Sequence, residues 1–353
     1  MRLAVGLFVA ILAACQAAPA ARPSESIVAS ATSTLIESPS PSPASLDPTP
    51  DPNSIEARAS AILEQEGSPD WPAEGFGSLW LLVPDQEMPS LLRVDPESLA
   101  IVAAIALPET SRQCQGFVVT DDAVWACTGE GAVRIDPSSN QIEGSVAFPV
   151  GQFLGRLAAG AGAVWALGGD EVAPNAVFKI DPGSMTVRTF PLGHYGTTLA
   201  FGFDAVWVTV TQEGLLLRVD PVIGAVSEHA TGLRRPWVVT AGPDSLWVTL
   251  AAEGEEPVGE GEPTVVRIDP TGELAPVSIA TGAAPGRGGG LWAGEDAVWV
   301  RAPDLFLVRI DPATNAVVDS ITGPPDNGDV AEAFGWIWAT AEHELRVYRL
   351  EQP

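Results

Sequence analysis

Basic side chains are scarce in this chain: 18 Lys and Arg stand against 45 Asp and Glu, a formal charge of −27 over 353 residues. A protein of that sign repels nucleic acid and anionic lipid surfaces, which makes both poor partners. Cysteine is scarcer still, limited to Cys15, Cys114 and Cys127. Two thiols after Cys15 with no neighbouring His do not make a zinc site. Histidine occurs only at His194, His229 and His343. Past the first residues, no stretch stays apolar for the ~18 residues that a membrane-spanning helix takes. No segment has the helical hydrophobic period. There is no Gly-rich phosphate loop, no nucleophile elbow and no Ser, His, Asp order of a hydrolase triad.

Tryptophan, by contrast, recurs in a fixed phrase. Trp80, Trp125, Trp165, Trp207, Trp247, Trp299 and Trp338 each follow a Gly or Asp turn. Six are followed by a basic-aliphatic-Asp-Pro turn, such as Arg134-Ile135-Asp136-Pro137 and Arg309-Ile310-Asp311-Pro312. The Trp spacings are 45, 40, 42, 40, 52 and 39 residues. A period near 40 in an all-strand pattern is that of one propeller blade, so the expected fold is all-β, a seven-bladed β-propeller with four antiparallel strands per blade.

One repeat shows how the blade arises. Gly116–Thr120 reads as strand A, Val124–Thr128 as B, Gly131–Ile135 as C and Gln141–Phe148 as D. Asp121-Asp122 and Asp136-Pro137 turn the chain between them, because Pro presets φ and Asp accepts nearby amides. Asn140, Gly224, Gly272 and Asn315 supply left-handed backbone after the Asp-Pro turns. The Trp side chains are expected between blades. Arg134, Lys179, Arg218, Arg267 and Arg309 recur once per blade on strand C, which argues for a scaffold contact between neighbours. The last repeat lacks its fourth strand. Residues 55–63, ahead of the first Trp repeat, read as that strand and are expected to pair with 344–350 and close the ring, hiding two open edges.

The N-terminus reads as an export signal: Arg2, then an apolar run Leu3–Ala14 too short to span a bilayer as an ordinary helix. Leu12-Ala13-Ala14-Cys15 resembles the lipobox of bacterial lipoproteins, which implies cleavage at 1–14 and a lipid on Cys15. The alternative is an ordinary signal cleaved near Ala18 or Ala20. Residues 15–54 are rich in Pro, Ser, Ala and Thr and cannot bury a core, so they read as a disordered tether. The propeller then occupies 55–353. These expectations place the protein outside the cytoplasm, anchored to the bacterial membrane or envelope. Export permits a disulfide. Counting from the Asp121-Asp122 turn pairs Gly116 with Cys127 and leaves Cys114 two residues out of register, so a Cys114–Cys127 bridge stays open.

The phrases Gly242-Pro243-Asp244-Ser245-Leu246-Trp247-Val248-Thr249 and Arg309-Ile310-Asp311-Pro312-Ala313-Thr314-Asn315 resemble the repeats of the virginiamycin B lyase and YVTN-type propellers, over about residues 55–350. The resemblance implies the propeller fold. For the lyases it also implies His and Glu residues with a divalent metal near the central pocket. Their blades often open on a Pro-His-Gly-like phrase; the nearest here is Arg235-Pro236-Trp237.

Propellers present their D–A and B–C loops at the mouth of the central channel. Five D–A connections carry a basic or imidazole group: Arg112, Arg156, His194, Arg234 with Arg235, and Arg287. Such a ring attracts a carboxylate, sulfate or phosphate; alternatively, its members pair with nearby Asp and Glu. His194 is the candidate general base in a chain whose catalytic residues are otherwise unknown. An insertion in repeat five brings Glu255, Glu256 and Glu260 to the same face, either as a solvated acidic lid or as carboxylates for Ca2+. No cofactor is expected, apart from that possible divalent metal. Three functions follow: a tethered propeller that binds an extracytoplasmic ligand, an anionic one if the basic ring is free, or a protein partner on its channel face; a lyase or hydrolase similar to the virginiamycin B lyases; or a structural cell-surface module. The lack of a catalytic constellation favours binding.

Overall fold

The computed structural model describes residues 51–352, apart from 85–87, 114–115, 150–155, 170–174, 252–261, 263, 283–289 and 303–304. Seven four-stranded antiparallel sheets, each one blade, form the propeller. Blade 1 runs through Asp70–Gly75, Ser78–Val83, Ser90–Val94 and Ile101–Ala106. Blade 2 has strands Phe117–Val119, Val124–Thr128, Gly131–Asp136 and Gln141–Ala147. Blades 3 to 6 continue in order, and blade 7 begins at Val330–Ala333.

Second strands such as Ala163–Gly168 and Ala205–Val210 are buried at every residue, as expected of sheets covered on both faces. Outermost strands such as Gln141–Ala147 are largely exposed. The seven Trp side chains fill the space between blades, none more than 2% exposed. The indole N–H of Trp80, Trp165, Trp207 and Trp338 donates to the carbonyl five residues earlier, at 2.9–3.0 Å. Trp165 stacks against Phe190 of its own blade and Phe201 of the next. These four indoles thus join a large apolar surface to a satisfied donor, whereas Trp125 Nε1 is buried without a partner among the described residues.

Four strand-C cations join neighbouring blades, whereas Arg134, expected to do the same, pairs with Asp122 and Glu143 of its own blade. Arg93 lies over the Trp80 ring and donates to the Pro137 carbonyl and to Asn140 Oδ1, in the Asp-Pro turn of the next blade. Lys179 lies over Trp165 and donates to the Pro221 carbonyl at 2.9 Å. Arg267 lies over Trp247 and reaches Pro312 and Asn315. Arg349 of blade 7 lies over Trp336 and donates to the Pro96 carbonyl of blade 1 at 2.8 Å, across the ring closure. The turns are shaped to accept. Asn140, Gly224, Gly272 and Asn315 all have positive φ. The Asp136 carboxylate, hydrogen-bonded by Ser138 and Ser139, is held down at about 2.

The ring closes through the N-terminal segment, with a correction to its form. Residues 55–58 are not strand. Ile55–Arg58 is one helical turn, and the strand is Ala59–Glu64, paired with Arg346–Leu350. Ser54 caps the turn by accepting from Ala57 N, and the following Glu, Ala and Arg favour helix. The turn buries Ile55 completely and lets Arg58 reach Asp319 of blade 6 at 2.7 Å. Contacts begin ahead of the expected boundary at 55. Asp51 accepts from Thr322 Oγ1 at 2.8 Å, and the Thr322 backbone bonds Asn53 and Ile55. The N-terminal clasp therefore ties blade 7 to blade 6 as well as completing it.

Cys127 is buried, disulfide-bonded, and pairs with Gly116 through its backbone N–H at 3.3 Å. Its sulfur partner lies outside the described residues.

Candidate functional site

The residue nine positions before each blade's buried Trp opens the innermost strand at the channel mouth. Around the ring these are Trp71, Gly116, Arg156, Thr198, Val238, Gly290 and Asp329. Only two are charged, and the fold brings them together: Arg156 Nη2 lies 3.5 Å from Asp329 Oδ2. Arg156 is in blade 3 and Asp329 in blade 7, with two blades between them on one side and three on the other. The pair therefore reaches across the channel. Gly290 leaves it room, because a Cβ there would lie 1.7 Å from Asp329 Oδ1. Beside the pair is a cavity of about 290 Å3, lined by Trp71, Arg156 and Asp329 and walled by small or apolar groups including Ala73, Ala158, Ala200 and Phe201.

Two innermost strands are irregular where they meet the mouth. Register shifts occur between Asp70 and Ala73 in blade 1 and between Pro236 and Val239 in blade 5. Pro72 and Pro236 have no N–H to give the ladder, and a bulge absorbs the break. Trp71 and Arg235 both have φ of 48° there, an uncommon conformation for large side chains. The Trp71 indole nitrogen is buried and has no partner among the described residues.

Behind Asp329 lies a buried set of charges. Asp70, Asp326 and Asp329 are each less than a tenth exposed, and Arg301 is 1% exposed. Thr340 Oγ1 donates to Asp70 Oδ1 at 3.3 Å and accepts from Asp329 N at 2.7 Å. Arg301 donates to the carbonyls of Phe306, Asp326 and Asn327 and stacks on the Phe306 ring. Asp326 accepts from His343 N, His343 Nδ1 and Glu344 N.

Burial, then the Asp329 and Glu342 charges, push the Asp70 carboxyl well above its ordinary range. Of the two neighbours Asp70 and Glu342, Asp70 is the one that favours the protonated form, since their contact raises Asp70 and lowers Glu342. Burial also raises Glu342 and Asp329; the Arg156 guanidinium opposes it at Asp329. Burial pulls Arg301 down to about 10, against the four surrounding carboxyl groups, so it stays charged at neutral pH. The mouth thus has a carboxyl-rich wall on blades 7 and 1 and a guanidinium on blade 3.

The expected cationic ring is not a free basic surface among the described residues. Arg156 faces Asp329, His194 Nδ1 meets Glu213 at 2.9 Å, and Arg234 lies 3.5 Å from Glu262. Arg235 accepts Ala251 N through its carbonyl, and its Nε is buried without a described partner. Arg112 belongs to the 3-10 turn Glu109–Gln113, with its side chain outside the description. Arg287, Cys15, Glu255, Glu256 and Glu260 lie outside the described residues. The His-and-Glu metal centre implied by the lyase resemblance does not fit the described part of the site. No group of three His, Cys, Asp or Glu among the described residues could hold a metal ion. Asp70, Arg301, Asp326, Asp329 and Glu342 escape a motif reading. The readable signal was the column nine before the Trp, where Arg156 and Asp329 are the only charges.

No protein-family model matches the chain, and no curated protein matches it. Many solved structures do. The Pan2 WD40 domain of Neurospora crassa is 14% identical with a TM-score of 0.61, over 81% of this chain and 90% of that one. A chain of Kuenenia stuttgartiensis hydrazine synthase is 13% identical with a TM-score of 0.62, over 78% and 92%. The Cps50 (Swd1) β-propeller domain of Myceliophteria thermophila is 10% identical with a TM-score of 0.63, over 83% and 100%. At these identities the likeness is one of fold.

Proposed function

We propose that this propeller is an exported, lipid-anchored binding protein that takes its ligand or partner at the channel mouth. The Arg156–Asp329 pair and the carboxyl groups behind it carry the reading. The repeated residues are occupied in packing and turning the blades, and several of them join one blade to the next. The buried charges are unrepeated and lie together on one side of the mouth. Burying such groups is costly, and they concentrate at sites of function. The lipobox-like Leu12-Ala13-Ala14-Cys15 and the Pro/Ser-rich stretch supply the anchor and the spacer.

Tyr195, in the loop entering blade 4, and Val222, in the Asp-Pro turn on the opposite face, are both exposed. A photo-crosslinker placed at Tyr195 in intact cells should give an adduct that Val222 does not. Equal adducts, or an adduct from Val222 alone, would refute a mouth-directed site. Labelled palmitate should enter the wild type and not Cys15→Ser; equal labelling would remove the anchor.

A further inference from the structure

We infer that the channel mouth binds a small zwitterion, a molecule carrying both a carboxylate and a protonated amine, by parting the Arg156–Asp329 pair. This rests on the channel-mouth reading and adds a ligand class to it.

The guanidinium of Arg156 is the first support. It offers five donors in a planar fork suited to a carboxylate. Among the described residues its one charged partner is Asp329, at 3.5 Å. A formed bond of this kind is ~2.7–2.9 Å long. The guanidinium lines the cavity and is 17% exposed. Its donors are therefore held at the mouth and only loosely engaged.

Asp329 is the opposite pole. Its Oδ1 accepts from Val330 N at 2.8 Å, and its Oδ2 faces Arg156. Behind it stand Glu342 and Asp326, whose charges draw positive charge to that wall, as they do for Arg301. Arg301 offsets part of this field, but it is turned to the carbonyls of residues 306, 326 and 327. Trp71 lines the same cavity and can offer an aromatic face to a cation.

Charge accounting then selects the ligand. A lone anion on Arg156 would leave Asp329 buried without its counter-ion, and a lone cation on Asp329 would strand Arg156. Either outcome is unfavourable in a desolvated site. A zwitterion replaces one long ion pair with two and strands neither group. The cavity, about 290 Å3, is at the small end of ligand pockets and suits a molecule of amino-acid size. Its alanine-rich walls suit an apolar body between the two charges.

The test titrates the purified full propeller with each of the twenty free amino acids by calorimetry, with melting followed in parallel. For L-leucine it adds two analogues, 4-methylpentanoate without the amine and isoamylamine without the carboxylate. At least one amino acid should bind with a stoichiometry of one. The two analogues, or the corresponding pair for whichever amino acid binds, should bind ~10-fold more weakly or worse. Arg156→Gln and Asp329→Asn should each lose binding by a similar factor while keeping a wild-type melt. If either variant fails to fold, the analogue comparison on the wild type decides alone. The inference is overturned if no amino acid binds at ~10 mM, a concentration that reveals even millimolar affinity. It is also overturned if either analogue matches its parent, or if Arg156→Gln binds normally. If it falls while the Tyr195 cross-link persists, only the ligand class is lost. If Val222 cross-links instead, the mouth reading itself is lost.

Discussion

Deleting residues 51–64 should remove cooperative folding at physiological temperature. The segment contributes the fourth strand of blade 7, with five residue pairs to Arg346–Leu350. It also buries Ile55 fully, in a cluster with Tyr348, Leu350 and Ile321, and Leu63 almost fully, in a cluster with Trp338 and Val347. Truncating a buried Ile or Leu to Ala costs about 2–5 kcal/mol. Each ladder hydrogen bond adds roughly 1 kcal/mol. The partly exposed Arg58–Asp319 pair adds at most about 1 kcal/mol. The total is on the order of 10 kcal/mol, comparable with the ~5–15 kcal/mol that keeps a domain folded. The assay is urea unfolding followed by tryptophan fluorescence, since the buried indoles report on every blade. Two point variants guard against an uninformative collapse. Ile55→Ala should lose ~2–5 kcal/mol. Ile62→Ala, at an exposed position of the same strand, should stay within about 0.5 kcal/mol of wild type. A truncated protein with a wild-type midpoint, or Ile62→Ala costing as much as Ile55→Ala, would refute the closure.

Arg93→Met removes the guanidinium over Trp80 together with the donors to the blade 2 turn, and should cost ~1–2 kcal/mol after allowance for partial exposure; a double-mutant cycle with Asn140→Ala should show coupling, and strict additivity would dismiss the inter-blade contact. Asp70 should make stability fall as pH rises. Its folded pKa is raised, so the folded state binds more protons than the unfolded chain from about pH 4 up to that raised value. Its contribution is complete below about pH 4 and is lost above. Asp70→Asn, which can still donate to Glu342, should melt no lower than wild type at pH 8; a lower melt there would show that Asp70 is ionised. The turn carboxylates act in the opposite sense. Asp136 and Asp269 are held at about 2, Asp136 chiefly by Ser138 and Asp269 by Thr271, so their stabilisation is lost as pH falls from about 4 to 2; Asp136→Asn should flatten that part of the melting profile, and an unchanged slope would count against it.

The propeller was legible because its chemistry repeats. Seven indoles, six Asp-Pro turns and a basic residue on most third strands report the same packing problem solved once per blade. Even the register was readable, down to the Gly116–Cys127 pair. The closing clasp was legible in place but not in form. The alternation of Ile55–Leu63 fits a strand, whereas a Ser54 cap and a pocket beside blade 6 draw the first four residues into a helical turn. The site was hidden for the opposite reason. Asp70, Asp329, Glu342 and Arg301 belong to no motif and share no local spacing; only the circular closure brings blades 6, 7 and 1 beside the channel and sets Arg156 across it. Basic residues counted along the chain therefore suggested a cationic ring, although the fold supplies a carboxylate to Arg156, His194 and Arg234. In a repeat protein the periodic positions describe the scaffold. Function has to be sought in the departures from period, taken column by column: where most blades place Gly, Thr, Val or Trp, Arg156 and Asp329 place opposite charges facing one another over a cavity.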